Sequence, residues 1–330
     1  MNDSNEKPLA SFCLKSYNHR KYLDEALKGA FAQTYRPLEI VISDDGSTDG
    51  SWEYIQQAVA EFKKEHIDVP VVVNRNSPNL GNLGNWQKCC ELAHGELLIK
   101  ADGDDISLPE RTGDAVNAWV ADGRRAMIVS QAYSVIDVDG NVLGGRSAPS
   151  ASHPMGAAQS WSKACYENFD RVLKVPMAVD DYPYGWRARI LGDEEGLRIE
   201  KPAVMYRVGS GMSTAVYGET RCLAAKDAKY TIQAYPQVLA DMHARGGTVD
   251  PALERALTDE QNRMQLILGL CEGDMVTRWK SFRRFHALYK VAPYTPLYFH
   301  HVCYLLPPLL GDALLSVYLI LNYYRKRLLH

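Results

Sequence analysis

Short apolar runs alternate with amphipathic stretches through the first hundred residues, and that alternation leaves few folds open. Leu9 to Leu14, Leu38 to Ser43, Val69 to Val73 and Glu96 to Lys100 read as strands. Between them, His19 to Gln33, Ser51 to Lys64 and Asn82 to Ala93 read as helices; Tyr22, Leu23, Ala26, Leu27 and Ala30 share one face of the first. Strand–helix alternation of this kind calls for right-handed crossovers and a mainly parallel sheet with helices on both faces, an α/β, Rossmann-like arrangement. Such sheets bind ligands beyond the carboxyl ends of their strands. The residues with the most chemistry fall there: Lys15-Ser16-Tyr17-Asn18 after the first strand, Asp44-Asp45-Gly46-Ser47 after the second, and Asp102-Gly103-Asp104-Asp105 after the fourth.

The last of these loops puts three carboxylates within four residues. Like charges this close raise each other's energy unless a cation shares them, and a hard divalent ion with oxygen ligands is the simplest partner. Such an ion would attract a phosphate-bearing substrate. A nucleoside diphosphate also needs a base pocket and ribose contacts. Tyr17 offers a ring for stacking, Asp45 an acceptor for a base imide, Asp102 an acceptor for a ribose hydroxyl or a bond to the metal, and Asp104 a metal ligand. Plainer explanations exist for each alone: a core aromatic at Tyr17, a type I turn at Asp44 to Ser47, helix caps at Asn79 and Asn85, a solvated acidic turn at Asp102 to Asp105. Their concurrence at one sheet edge favours the nucleotide reading.

Composition excludes little. The net charge of −3 names no partner, and the seven cysteines form no CxxC or zinc spacing, as expected of reduced core thiols in a cytosolic protein. The stretch Met1 to Lys7 is polar and lacks a signal peptide's apolar core. Dinucleotide turns, phosphate-binding P-loops, HExxH helices and EF-hand loops are not found. Val142 to Ser213 is richer in Gly, Pro and aromatics and reads as a lid and acceptor region packed on the sheet. From Glu219 the pattern turns helical, which divides the chain into a catalytic domain over 1–218 and a helical region over 219–330.

Charge is uneven in that second region. Thr277 to Gly311 holds no Asp or Glu but includes Arg278, Lys280, Arg283, Arg284 and Lys290, interleaved with aromatics. Trp279, Phe282, His286 and Tyr289 fall at helical spacing, as on a helix lying on an anionic leaflet. Val302 to Leu321 is apolar, but Pro307-Pro308, Gly311 and Asp312 interrupt it, which suits an interfacial or re-entrant element better than a spanning helix. A terminal helix packed on its own domain, or one seated in a partner's groove, would share this composition. The flanking apolar tail argues against nucleic acid.

Two segments, PLASFCLKSYNHRKYLDEALKGAFAQTYRPLEIVISDDGSTDGS and NLGNLGNWQKCCELAHGELLIKADGDDISLPER, resemble the family 2 glycosyltransferases of the GT-A fold, the second through a DxD-type metal motif followed by Pro109. The resemblance runs from residue 8 to about residue 215. It implies that Ser16 and Tyr17 line the base pocket, Asp45 reads a pyrimidine, Asp102 and Asp104 hold the nucleotide and Mn²⁺ or Mg²⁺, and Asn85 and Trp86 lie on a segment closing over the nucleotide. It also gives meaning to Asp180-Asp181, where the family carries Glu-Asp with an Arg six residues on, here Arg187. With Asp for Glu at 180, Asp181 is the implied general base of an inverting displacement. Tyr206-Arg207-Val208-Gly209 resembles the family's Tyr-Arg-x-His segment, with Gly209 in place of His and Arg207 left to face the pyrophosphate. The Gln-x-x-Arg-Trp of processive synthases has only the partial match Met275 to Trp279, so one sugar is added per encounter. The expected enzyme moves one sugar from a UDP-sugar to a saccharide acceptor, lipid-linked, while held peripherally at the cytoplasmic face of the cell membrane. A sugar-phosphate nucleotidyltransferase and a catalytically silent membrane scaffold are the competing classes.

Overall fold

The structure is a computed structural model that describes residues 7–149, 156–169, 181–209, 220–244, 250–290 and 296–306. The chain divides into two units, 1–211 with 237–247, and 212–236 with 248–330.

The first unit is built on one sheet. Strand β1 (Ala10–Ser16) lies between β2 (Leu38–Asp44) and β4 (Leu97–Asp102), parallel to both, and β3 (Val71–Arg75) extends the block beside β2. The register pairs Ser16 with Asp44 and Lys15 with Asp102, so the three chemically suggestive loops leave the sheet at one level. Helices α1 (Leu23–Phe31), α2 (Ser51–Glu65) and α4 (Arg111–Ala121) share a core with Ala10, Phe12 and Leu14 of β1, Ile40 and Ile42 of β2, and Leu97 and Ile99 of β4. Residues alternate between the two faces of a strand. Cys13 therefore points the other way, toward Cys89 and Cys90 of α3 (Gly81–Leu92). Helices thus cover both faces, as the alternation in the sequence requires.

The remaining strands depart from the expected lid. Strand β5 (Ile106–Ser107) pairs antiparallel with β9 (Leu197–Arg207), which runs parallel to β6 (Ile128–Ile136). Strand β7 (Val142–Arg146) hairpins onto β6, and β8 (Gln159–Ser162) joins β4 to β6, antiparallel to both. Three segments of the stretch read as lid, β7, β8 and β9, are therefore sheet. Its strands lack an apolar period: β8 is Gln-Ser-Trp-Ser, buried in mid-sheet, with Gln159 Nε2 donating to Ser130 Oγ at 3.1 Å. Two helices, α5 (Ala164–Glu167) and α6 (Asp181–Ile190), follow β8.

Beyond β9 the chain is helical: α7 (Thr220–Ala244), α8 (Pro251–Glu272), α9 (Met275–Tyr289) and α10 (Pro296–Leu305). In the second unit Ala225, Leu270, Cys271, Phe282, Cys303 and Tyr304 form a core. Asp250 caps α8, and Asp274 caps α9 by accepting from the Thr277 amide at 2.7 Å. Arg278 is buried, donating to the carbonyls of Gly273 at 2.6 Å and Leu306 at 3.1 Å, where helix carbonyls would otherwise lack partners. The row expected to face a leaflet turns inward instead. Phe282 and Phe285 are buried and His286 meets His301 at 3.2 Å, because that row is the apolar stripe on which α10 packs. Trp279 alone of the row is largely exposed, beside Met275, Val276 and the basic residues. Among the described residues no helix is long and apolar enough to cross a membrane, and most of Val302 to Leu321 lies outside them.

Candidate nucleotide site at the carboxyl edge of the sheet

The loop after β2 is set by Asp44. Its carboxylate accepts the Ser47 amide at 2.9 Å and the Ser47 hydroxyl at 2.5 Å, while Gly46 takes the positive φ of +77° the turn needs. That leaves Asp45 facing α3. Its Oδ1 accepts the Leu80 amide and Asn76 Nδ2, and its Oδ2 the Gly81 amide, at 2.8 to 2.9 Å. A carboxylate has about four acceptor positions, so one on Oδ2 remains after these three bonds. Asp45 is 2% exposed, hence reachable by a base only where the 79–81 turn gives way. Tyr17, by contrast, is 48% exposed at the end of β1, open to a stacking partner.

Asn85 and Trp86 sit on the inward side of α3. Asn85 donates to the carbonyls of Ser16 at 3.3 Å and Ser43 at 3.1 Å, tying β1 to β2 below the loops. Trp86 is 1% exposed, edge-on to Tyr184 at 6.0 Å. Both side chains are buried among protein partners on the inward side of α3.

The acid turn is surrounded by protein cations that the sequence did not reveal. Lys15 Nζ is 2.8 Å from Asp102 Oδ1 and also donates to Asn82 Oδ1; Lys100 Nζ is 3.9 Å from Asp102 Oδ2. Burial would raise the Asp102 carboxyl, but the two ammonium groups outweigh it and hold it well below the carboxylate range. Asp105 goes the other way. Burial, then the charges of Asp104 and Asp102, push its carboxyl well above the ordinary value. Its Oδ1 accepts the Arg207 amide at 2.8 Å, and its buried Oδ2 has no hydrogen-bond partner. Below them Arg111 is buried, donating to Ser107 Oγ and the Lys100 and Ala157 carbonyls, with burial pulling its guanidinium down to about 10. Gly103 permits the close approach of β1's loop. A methyl there would lie 2.6 Å from His19 Nδ1 and 3.2 Å from Ser16 Oγ, two buried polar atoms with no hydrogen-bond partner.

The two expected arginines are both buried. Arg187 is fully buried, its Nε 2.8 Å from Asp241, and it stacks on Phe169 and Tyr184. Arg207 donates to the Asp104 carbonyl at 2.9 Å, the Asp137 carbonyl at 3.0 Å and Glu25 Oε2 at 2.5 Å, over the Tyr22 ring. It therefore fixes the backbone of the acid turn from beneath. Asp181 is the first residue of α6, and Asp180 lies outside the described residues.

Among the described residues no three His, Cys, Asp or Glu side chains form a ready-made metal cage. The turn nonetheless suits an ion that takes one or two carboxylates and completes its shell with phosphate oxygens. Asp104 is only half-buried, and the partnerless Oδ2 of Asp105 is a buried oxygen of the kind a hard cation relieves.

Known proteins share this architecture. The solved structures include a mannosyltransferase, PcManGT of Pyrobaculum calidifontis, at 17% identity and TM-score 0.54 over 96% of this chain and 88% of that one. They also include residues 1–349 of S. aureus TarS, at 14% identity and TM-score 0.50 over 90% and 81%. At such identities the likeness is one of fold. Among curated relatives, EpsE of Bacillus subtilis (strain 168) is 29% identical over 150 residues, 46% of this chain and 51% of that protein. The abequosyltransferase RfbV of Salmonella typhimurium (strain LT2) is 36% identical over 99 residues, 29% of this chain and 28% of its own length. The chain thus spans about half or less of the length of these relatives. The profile of glycosyl transferase family 2 matches residues 11–180, which runs from the second residue of β1 through β8 and includes the acid turn. The chain belongs to glycosyl transferase family 2.

Proposed function

We propose that the protein transfers one sugar from a nucleoside-diphosphate sugar, UDP-linked, to a saccharide acceptor carried on a lipid. The observation that carries this reading is the convergence of Tyr17, Asp45 and Asp102 to Asp105 at one level of one sheet edge. Tyr17 stacks on the base, Asp45 accepts from its imide, and Asp102 accepts from the ribose. Mn²⁺ or Mg²⁺, when bound, would neutralise the departing diphosphate, with Asp104 foremost among its protein ligands. PcManGT, which was solved in complex with GDP-Man and Mn²⁺, supports a donor of this class. Asp181 takes the proton from the acceptor hydroxyl as that oxygen attacks the anomeric carbon, and the single displacement inverts the centre. Arg207 keeps the acid turn in place during the reaction.

The basic, acid-free surface of α9 supports a position on an anionic membrane, at its cytoplasmic face, near lipid-linked acceptors. Incubation with UDP- and GDP-sugars and Mn²⁺ tests the class: release of nucleoside diphosphate, dependent on the metal, is expected. Release of pyrophosphate from a sugar phosphate and nucleoside triphosphate would make the protein a nucleotidyltransferase. Absence of both, with intact vesicle binding, would leave a scaffold.

A further inference from the structure

Asp181 opens α6, and helical spacing puts Tyr184 and Ala188 on its stripe, with Arg187 next to Tyr184. Tyr184 is 1% exposed, edge-on to Trp86 of α3 and Trp161 of β8 at 6.0 and 5.7 Å. Apolar burial is non-directional, so it fixes the rotation and height of a helix less sharply than a hydrogen bond does. Direction comes from Arg187. Its Nε donates to Asp241 Oδ2 at 2.8 Å and its Nη1 to the Cys165 carbonyl of α5 at 3.4 Å, from a planar fork of fixed geometry. Asp241, 4% exposed near the end of α7, is held in turn by Gln237, whose Nε2 donates to Oδ1 at 2.9 Å. Just past α6, Asp193 Oδ2 accepts the Met127 and Ile128 amides at 2.6 and 3.1 Å, where β6 begins. All of these residues belong to the first unit.

A buried ion pair is a poor way to hold a fold, since apolar side chains of the same volume often stabilise as well or better. It suits a different task, the setting of one helix against another at a fixed angle and height. Asp241 also lies beyond residues 11–180, the span the family profile matches. We propose that Asp241 is a positioning residue for the transfer, acting through Arg187 to set where α6 holds Asp181 against the acceptor hydroxyl. This rests on the reading of Asp181 as the general base. A misplacement of about 1 Å at the reacting groups costs about 10²-fold in rate, so a small turn or slide of α6 is enough to matter. Donor binding stands apart, because Tyr17, Asp45 and the acid turn sit on other elements.

The test is metal-dependent release of nucleoside diphosphate from UDP- and GDP-sugars by the full chain, read beside UDP and GDP affinity and thermal stability. Asp241→Asn alone would leave a buried guanidinium without its counter-charge. The deciding variant is therefore Arg187→Met with Asp241→Leu, which removes both charges at similar volume. It should melt near the wild-type temperature and bind UDP or GDP within about twofold of wild type, while kcat falls about 10- to 10²-fold. In an Asp181→Asn background the same two substitutions should cost less than about twofold more, since the group they position is already gone. Wild-type kcat in the folded variant, an equal loss in both backgrounds, or a loss of nucleotide affinity that matches the loss of kcat makes the pair structural only and overturns the inference. Where that variant does not fold, Arg187→Lys, which keeps the charge pair and loses the fork, is judged by the same comparison. Near-normal turnover in Asp181→Asn alone, or no release by wild type, removes the reading of Asp181 and this inference with it.

Discussion

Asp104 and Asp105 are neighbours in one turn and answer to different surroundings. Asp105 is buried against the Arg207 amide, whereas Asp104 is half-buried at the mouth of the turn. Asp104→Ala should therefore remove the metal-dependent part of donor binding, a loss of about tenfold or more seen as UDP affinity that no longer differs with and without EDTA. A persisting EDTA effect would exclude Asp104 as ligand. Asp181→Asn should keep UDP binding and lower turnover by about 10²- to 10⁴-fold, the range of a lost general base; near-normal turnover would take Asp181 out of that role. The placement of Tyr17, Asp45 and Asp102 to Asp105 at one sheet edge was legible because the strands before them are short apolar runs that end where the polar residues begin. What was not legible was pairing. Arg187 reads as a cation after an acidic pair, and among its partners is Asp241, 54 residues away on α7. The acid run reads as in need of an outside cation, yet Lys15, Lys100 and Arg111 arrive from two strands and a helix to meet it. A charged side chain inside an apolar strand was the available signal, since burial obliges it to find a counter-charge.

At the scale of elements, the opposite edge of the sheet carries its own polar lock. Glu39 of β2 accepts from Ser11 Oγ of β1 and from the His94 and Gly95 amides that lead into β4. Burial would raise its carboxyl, but these hydrogen bonds outweigh it and hold it below its ordinary value of 4.5. A depressed folded value means the contribution is full above the unfolded pKa and disappears as pH falls through the folded one. Glu39→Gln should cost about 1 to 3 kcal/mol in urea unfolding at pH 7, and that gap to wild type should narrow as pH drops below 4.5. A gap constant down to pH 3 would mean that Glu39 contributes no charge. The strands that this lock joins were readable from the sequence because Val, Ile and Leu recur in short runs bounded by turn residues. Strands β8 and β9 were not: β8 is polar, and β9 interleaves Arg198, Glu200 and Lys201 with its apolar residues, so their place is set by partners distant in the chain.

At the scale of the molecule, the acid turn belongs to the first unit and the basic helix to the second, and the proposed membrane association is a question about the second alone. The aromatic row of α9 is spent on its own core, so the proposal of a membrane contact falls on what remains outside: Met275, Val276, Trp279 and Leu288, each between 53% and 61% exposed, with Lys280, Arg283, Arg284 and Lys290. Truncation after 295 is a poor test, because it removes Cys303 and Tyr304 from a core and the Leu306 carbonyl from Arg278. Reversing charge on the exposed face leaves that core intact. Each basic residue near an anionic leaflet contributes about 1 kcal/mol. Lys280→Glu, Arg283→Glu, Arg284→Glu and Lys290→Glu together should then weaken binding to phosphatidylglycerol-containing vesicles by at least about 10²-fold at low salt, and the wild-type affinity should fall as salt rises. Trp279→Ala should weaken it by less and without altering the salt dependence, since the ring contributes burial rather than charge. Flotation of the four-fold variant with such vesicles as efficient as that of wild type would place the contact elsewhere on the protein.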